Sequence, residues 1–69
     1  MKLAHQEDQG QTLYRVRGGL VARGTSLHRW CIENGEDTSN ARRAIAGTWK
    51  GPKGRELKVR VLAAAGVEE

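Results

Sequence analysis

Glycines mark where the helices of this chain are expected to stop. Gly24, Gly35, Gly47 and Gly66 each follow a stretch of apolar residues or precede a new one. Glycine takes the left-handed conformation that ends a helix, and short polar side chains cap the free N–H groups where the next begins. After Gly24, Thr25 or Ser26 can cap a helix in which Leu27, Trp30 and Cys31 fall at i, i+3 and i+4. After Gly35, Asp37, Thr38 and Ser39 are the candidate caps, and Ala41, Ala44, Ile45 and Thr48 are the expected inward face. Leu57, Val61, Leu62 and Ala65 share one face of a last helix, which Gly66 closes and onto which Val67 folds back. Between these, Gly51, Pro52 and Gly54 interrupt "TWKGPKGRE", which reads as a loop over about residues 48–55.

The stretch "QTLYRVRGGLVARG" supports two readings. Leu13, Val16 and Leu20 lie on one face at helical spacing, with Tyr14 and Val21 flanking. The Gly18-Gly19 pair also suits the tight turn of a β-hairpin, and two mid-helix glycines cost about 2 kcal/mol relative to alanine. Ahead of it, "MKLAHQEDQG" has no period. Residues 1–10 are therefore expected as a flexible arm, and residues 11–69 as the domain.

With 69 residues there is room for one domain with a thin core, since a chain this short buries only about 60% of its unfolded surface. Tyr14, Trp30 and Trp49 are the only large aromatics and there is no Phe, so Leu, Val, Ile and Ala must do the packing. That suits a compact all-α domain of four helices better than a sandwich. The single Cys31 excludes an internal disulfide, and Cys31, His5 and His28 are too few for a four-ligand zinc site. No metal or cofactor is expected. No run approaches the roughly 20 apolar residues of a membrane span, and no signal-peptide core follows the start. The expectation is a soluble, cytoplasmic protein with no membrane partner. No nucleophile, base and carboxylate fall at suggestive spacing, and "GPKG" lacks the Lys-hydroxyl ending of a nucleotide loop. An enzyme or a small-molecule binder is not expected.

Charge is unevenly placed. Residues 42–60 carry Arg42, Arg43, Lys50, Lys53, Arg55, Lys58 and Arg60 against Glu56 alone. The whole chain is only +4, so everything outside that block is slightly acidic. A basic block of this kind favours a polyanion partner, the plain alternative being a solvated basic face.

The two central helices have the spacing of a helix-turn-helix. Trp30 and Cys31 precede Gly35 by five and four residues, and Ala41, Ala44 and Ile45 follow it by six, nine and ten. The residue four before the turn glycine must be small because the second helix crosses there, and Cys31 is small. The 41/44/45 stripe turns Thr38, Ser39, Arg42, Arg43 and Ala46 outward. Arginine bonds guanine bidentately and hydroxyls reach bases or phosphates, so Thr38, Ser39, Arg42 and Arg43 are the candidate base contacts. Thr38 and Ser39 serve equally well as caps. Lys50, Lys53 and Arg55 with the glycine loop, Thr25 and Ser26 at a helix start, and Asn40 on the helix flank are the candidate phosphate contacts. Trp30, Trp49 and Cys31 are expected in the core.

"RGTSLHRWCIENG", "ARRAIAG" and "WKGPKGREL…LAAAGV" together resemble the Ner-type DNA-binding regulators of Mu-like transposable phages and related short phage proteins with a lambda-repressor-like helix-turn-helix. The resemblance spans about residues 17–67. It implies an all-helical domain, binding of double-stranded operator DNA, and control of phage transcription as a regulator or repressor. It also implies a helix over residues 12–23. A homodimer is expected where an operator is palindromic. Two positions depart from the pattern: Asn34 and Glu36 flank the turn glycine where repressor-like domains usually have an apolar residue. Glu36 and Asp37 also bring negative charge near the surface meant for phosphate. They motivate the rival expectation, a phage accessory protein that uses the same scaffold to bind and inhibit a host protein.

Overall fold

The computed structural model describes residues 3–68, with side chains from Gln11 to Glu68. Its elements are α1 (Leu3–Ala22), α2 (Leu27–Glu33), α3 (Thr38–Ala46) and α4 (Pro52–Ala65). Among the described residues there are four helices and no strand. Val16 and Leu20 of α1, Leu27 and Cys31 of α2, Ala41, Ala44 and Ile45 of α3, and Leu57, Val61, Leu62 and Ala65 of α4 form one buried cluster. Leu13, Trp30, Trp49, Ala64 and Val67 pack against it while partly exposed. The apolar stripes read from the sequence therefore meet in a single core.

The hairpin reading of residues 14–23 does not hold, because Gly18 and Gly19 lie inside α1. Gly19 is there for packing. A Cβ at that position would collide with the carbonyl of Ala65, so its absence lets α1 and α4 cross in contact. Just beyond α1, Arg23 donates through Nη1 to the Ala65 carbonyl at 2.7 Å. A cation on a terminal carbonyl of α4 satisfies a group that the helix itself leaves free. The helix also begins at Leu3, so residues 3–10, expected as an arm, belong to its first turns. The rest of that expectation, on Met1 and Lys2, lies outside the described residues.

Residues 34–37 turn the chain between α2 and α3, with Gly35 at a φ of +69°. Ser26 caps α2, its hydroxyl accepting from the Arg29 N–H at 3.1 Å. Asp37 caps α3, its carboxylate accepting from the Asn40 N–H at 3.0 Å. Of the three cap candidates for α3, the carboxylate takes the role and the two hydroxyl residues fall inside the helix.

Two expectations on the far side of α3 need correction. Thr48 is exposed rather than inward, and its hydroxyl donates to the Arg43 carbonyl across the end of α3. The expected loop over 48–55 is shorter, because α4 starts at Pro52. Proline has no N–H to lose and its fixed φ suits the first helical position, so it opens the helix instead of breaking it. Gly54 sits in that first turn because a side chain there would strike the Trp49 carbonyl.

Candidate nucleic-acid interface

On α3, Ser39, Arg42 and Arg43 are exposed, opposite the buried Ala41, Ala44 and Ile45. Asp37 has taken over capping, which leaves the Ser39 hydroxyl unengaged among the described residues. Thr38 is less free: its Oγ1 lies 3.2 Å from Nδ1 of His28 and shares a hydrogen bond with it, tying the start of α3 to α2. Arg43 donates to the Asn40 side-chain oxygen at 2.7 Å. That contact holds the guanidinium along the helix surface and orients the amide at the same time. Arg42 has no such partner among the described residues.

Beyond α3, the chain brings a second group of cations alongside. Lys50 precedes α4, while Lys53 and Arg55 lie in its first turn rather than in a loop. All three are exposed, and their side chains make no ion pair or hydrogen bond among the described residues. Gly51 caps α4 without a side-chain bond, so no carboxylate or hydroxyl competes for the positive end of this helix.

Trp49 joins the two groups. It lines a cleft of about 230 Å³ with Asn40, Arg43 and Thr48. It also lines a cleft of about 220 Å³ that includes Lys50, Gly51, Arg55 and Lys58. Trp49, expected in the core, packs against it while partly exposed, and Lys58 figures in the sequence only as one cation of the basic block. The available signal was position, since Trp49 follows directly on the end of α3 and precedes Lys50 within the basic block.

The remaining candidates stand apart. Ser26 is occupied as the α2 cap. Thr25 needs correction as a phosphate contact: its Oγ1 is buried with no hydrogen-bond partner, so the hydroxyl is not presented at the surface.

The acidic pair also finds structural work. Asp37 is the α3 cap. Glu36 accepts from Arg60 Nη1 at 2.8 Å, and the same guanidinium lies 5.5 Å from the ring centroid of Trp30. The turn before α3 is thus tied to α4, and the Glu36 charge is balanced where it stands. Cys31 is fully buried, burial pushing its thiol above the ordinary value against a hydrogen bond from Thr38, with Glu36 and Asp37 adding to the rise.

Among the described residues there is no cluster of three His, Cys, Asp or Glu suited to a metal ion, and no helix long and apolar enough to cross a membrane. Comparison of the chain with protein-family models, curated proteins and solved structures returns no match.

Proposed function

We propose that this chain is a sequence-specific double-stranded DNA-binding regulator of phage transcription, built on a lambda-repressor-like helix-turn-helix of α2 and α3. α3 enters the major groove, with Arg42 and Arg43 reading bases and Ser39 and Thr38 assisting near its start. Lys50, Lys53 and Arg55, with Asn40, hold phosphates beside it. The observation that carries this reading is that Arg42, Lys50, Lys53 and Arg55 are all exposed with no side-chain partner among the described residues, Lys50 and Arg55 lining one cleft beside Trp49. Unneutralised exposed cations raise the local potential for a polyanion. The buried Cys31 and the positive φ of Gly35 support the motif assignment, because close crossing and a left-handed turn are what such a motif requires.

One domain of this size would cover only about 600–1,000 Å² on DNA, which favours a homodimer on a palindromic operator. The rival reading, an inhibitor of a host protein, drew on Glu36 and Asp37, and both carboxylates have partners within the fold.

The deciding experiment titrates labelled phage early-promoter DNA and a random duplex at two salt concentrations. The regulator reading requires tight, selective binding that weakens with salt, with a log-log slope of about −0.9 per phosphate contact. No binding at low salt would discard it.

A further inference from the structure

Trp49 borders three surface clefts, and their chemistry differs. Two are the cationic clefts at the end of α3 and the start of α4, which carry Arg43 on one side and Lys50 with Arg55 on the other. The third is lined by Glu36, Lys53, Glu56, Leu57 and Arg60 as well as Trp49, and its two acids offset its two bases. Trp49 is therefore common to two positive clefts and a balanced one.

The packing of Trp49 leaves its polar edge unused. Tryptophan is only partly buried against the core here. Its indole N–H has no hydrogen-bond partner among the described residues, and it is not among the buried unpartnered atoms, so it opens to solvent. A buried indole N–H normally finds an acceptor, and an exposed one at a polyanion surface is a donor in waiting. The backbone beneath is held firmly, since the Trp49 N–H donates to the Arg43 carbonyl at 3.2 Å and its own carbonyl lies against Gly54. The Trp49 backbone is thus fixed to both α3 and α4.

We infer that Trp49 is a DNA-backbone contact, its ring packing on a deoxyribose and its N–H donating to a phosphate that Arg43 and Lys50 flank. The inference rests on the DNA-binding reading and adds to it a neutral residue that composition and charge do not single out. A neutral donor displaces no counterion. Its loss should weaken binding without changing the salt slope, whereas loss of a lysine contact lowers the slope by about 0.9.

The test uses the Trp30→Phe variant, in which Trp49 is the sole tryptophan, with a random-sequence duplex at low salt as the probe. Binding is followed by the anisotropy of labelled duplex, and Trp49 exposure by acrylamide quenching of its fluorescence. Bound duplex should shield Trp49 from acrylamide. Trp49→Phe, checked for folding by circular dichroism, should then lose about tenfold in affinity with an unchanged salt slope. If the duplex binds by anisotropy while Trp49 is quenched as in the free protein, the inference is overturned and the DNA reading survives. If no duplex binds, both fall together. The quenching measurement needs no substitution at Trp49, so a poorly folded Trp49→Phe would not shelter the idea.

Discussion

Arg60 of α4 donates a 2.8 Å hydrogen bond to Glu36, the residue directly after the turn glycine. An ion pair whose guanidinium lies over Trp30 fastens the turn to α4. Both side chains are partly exposed, at 40% for Arg60 and 27% for Glu36, so solvent screens the attraction. Glu36→Gln should cost only about 0.5–1 kcal/mol, and the difference should shrink in high salt. Arg60→Ala should cost more, because the stacking on Trp30 contributes a further 0.5–1 kcal/mol or about that. Urea unfolding of both variants at two salt concentrations measures this. Equal costs would remove Trp30 from the interaction.

Gly18 and Gly19 are neighbours in sequence with opposite demands. Nothing lies within 4 Å of a Cβ built on Gly18, so Gly18→Ala should stabilise α1 by about 0.5–1 kcal/mol through helix propensity. Gly19→Ala must push α1 off the Ala65 carbonyl and should cost about 1–3 kcal/mol or more. Thermal unfolding of the two variants should therefore shift in opposite directions. A rise for both would mean that the α1–α4 crossing is looser than described.

These glycines show where sequence reasoning ran out. Local signals were legible: Gly35, Gly47 and Gly66 all take positive φ at the ends of helices, and apart from Thr48 and the partly buried Trp30 the stripes of α2, α3 and α4 are the buried ones. What was not legible depends on partners distant in the chain. Periodicity cannot separate a glycine that turns from one that lets Ala65 approach. Pro52 and Gly54 read as breakers because nothing local says that Pro52 opens a helix or that Gly54 makes room for Trp49. Glu36 read as a misplaced charge until Arg60 arrived from α4. The basic surface was foreseeable from the run of cations, but the place of Trp49 between its two halves was not.

Thr25 offers a test of the proposed DNA interface. Its buried hydroxyl has no hydrogen-bond partner, and an unsatisfied polar atom costs about 1–3 kcal/mol of desolvation. Thr25→Val keeps the shape and removes that cost, so the variant should be more stable by about 1 kcal/mol. Its affinity for duplex DNA should be unchanged. A clear loss of affinity would return Thr25 to the phosphate contacts.

Under the DNA reading, Arg42 and Lys53 should fail differently. Arg42→Ala should cost about 1–3 kcal/mol on the operator and relax sequence preference. Lys53→Ala should weaken every duplex alike and lower the salt slope by about 0.9. Titrations on selected and random duplex across a salt series separate the two. Neutral behaviour in both variants would rule out this surface.

Cys31 should leave a signature at alkaline pH. Its ordinary value is 9.0, and desolvation raises it in the folded chain. Above 9 the unfolded thiol loses its proton while the buried one keeps it, so the folded state then binds more protons and stability falls as pH rises. The contribution is complete below 9 and is lost as pH climbs toward the raised folded value. Cys31→Ala removes this dependence while keeping a small residue where α3 crosses, at a cost of about 1 kcal/mol at neutral pH. Denaturant unfolding of both proteins from pH 7 to 10 should show the gap between them narrowing past pH 9. Groups common to both proteins drop out of the difference. Parallel curves would mean that the thiol ionises as readily in the folded chain as in the unfolded one.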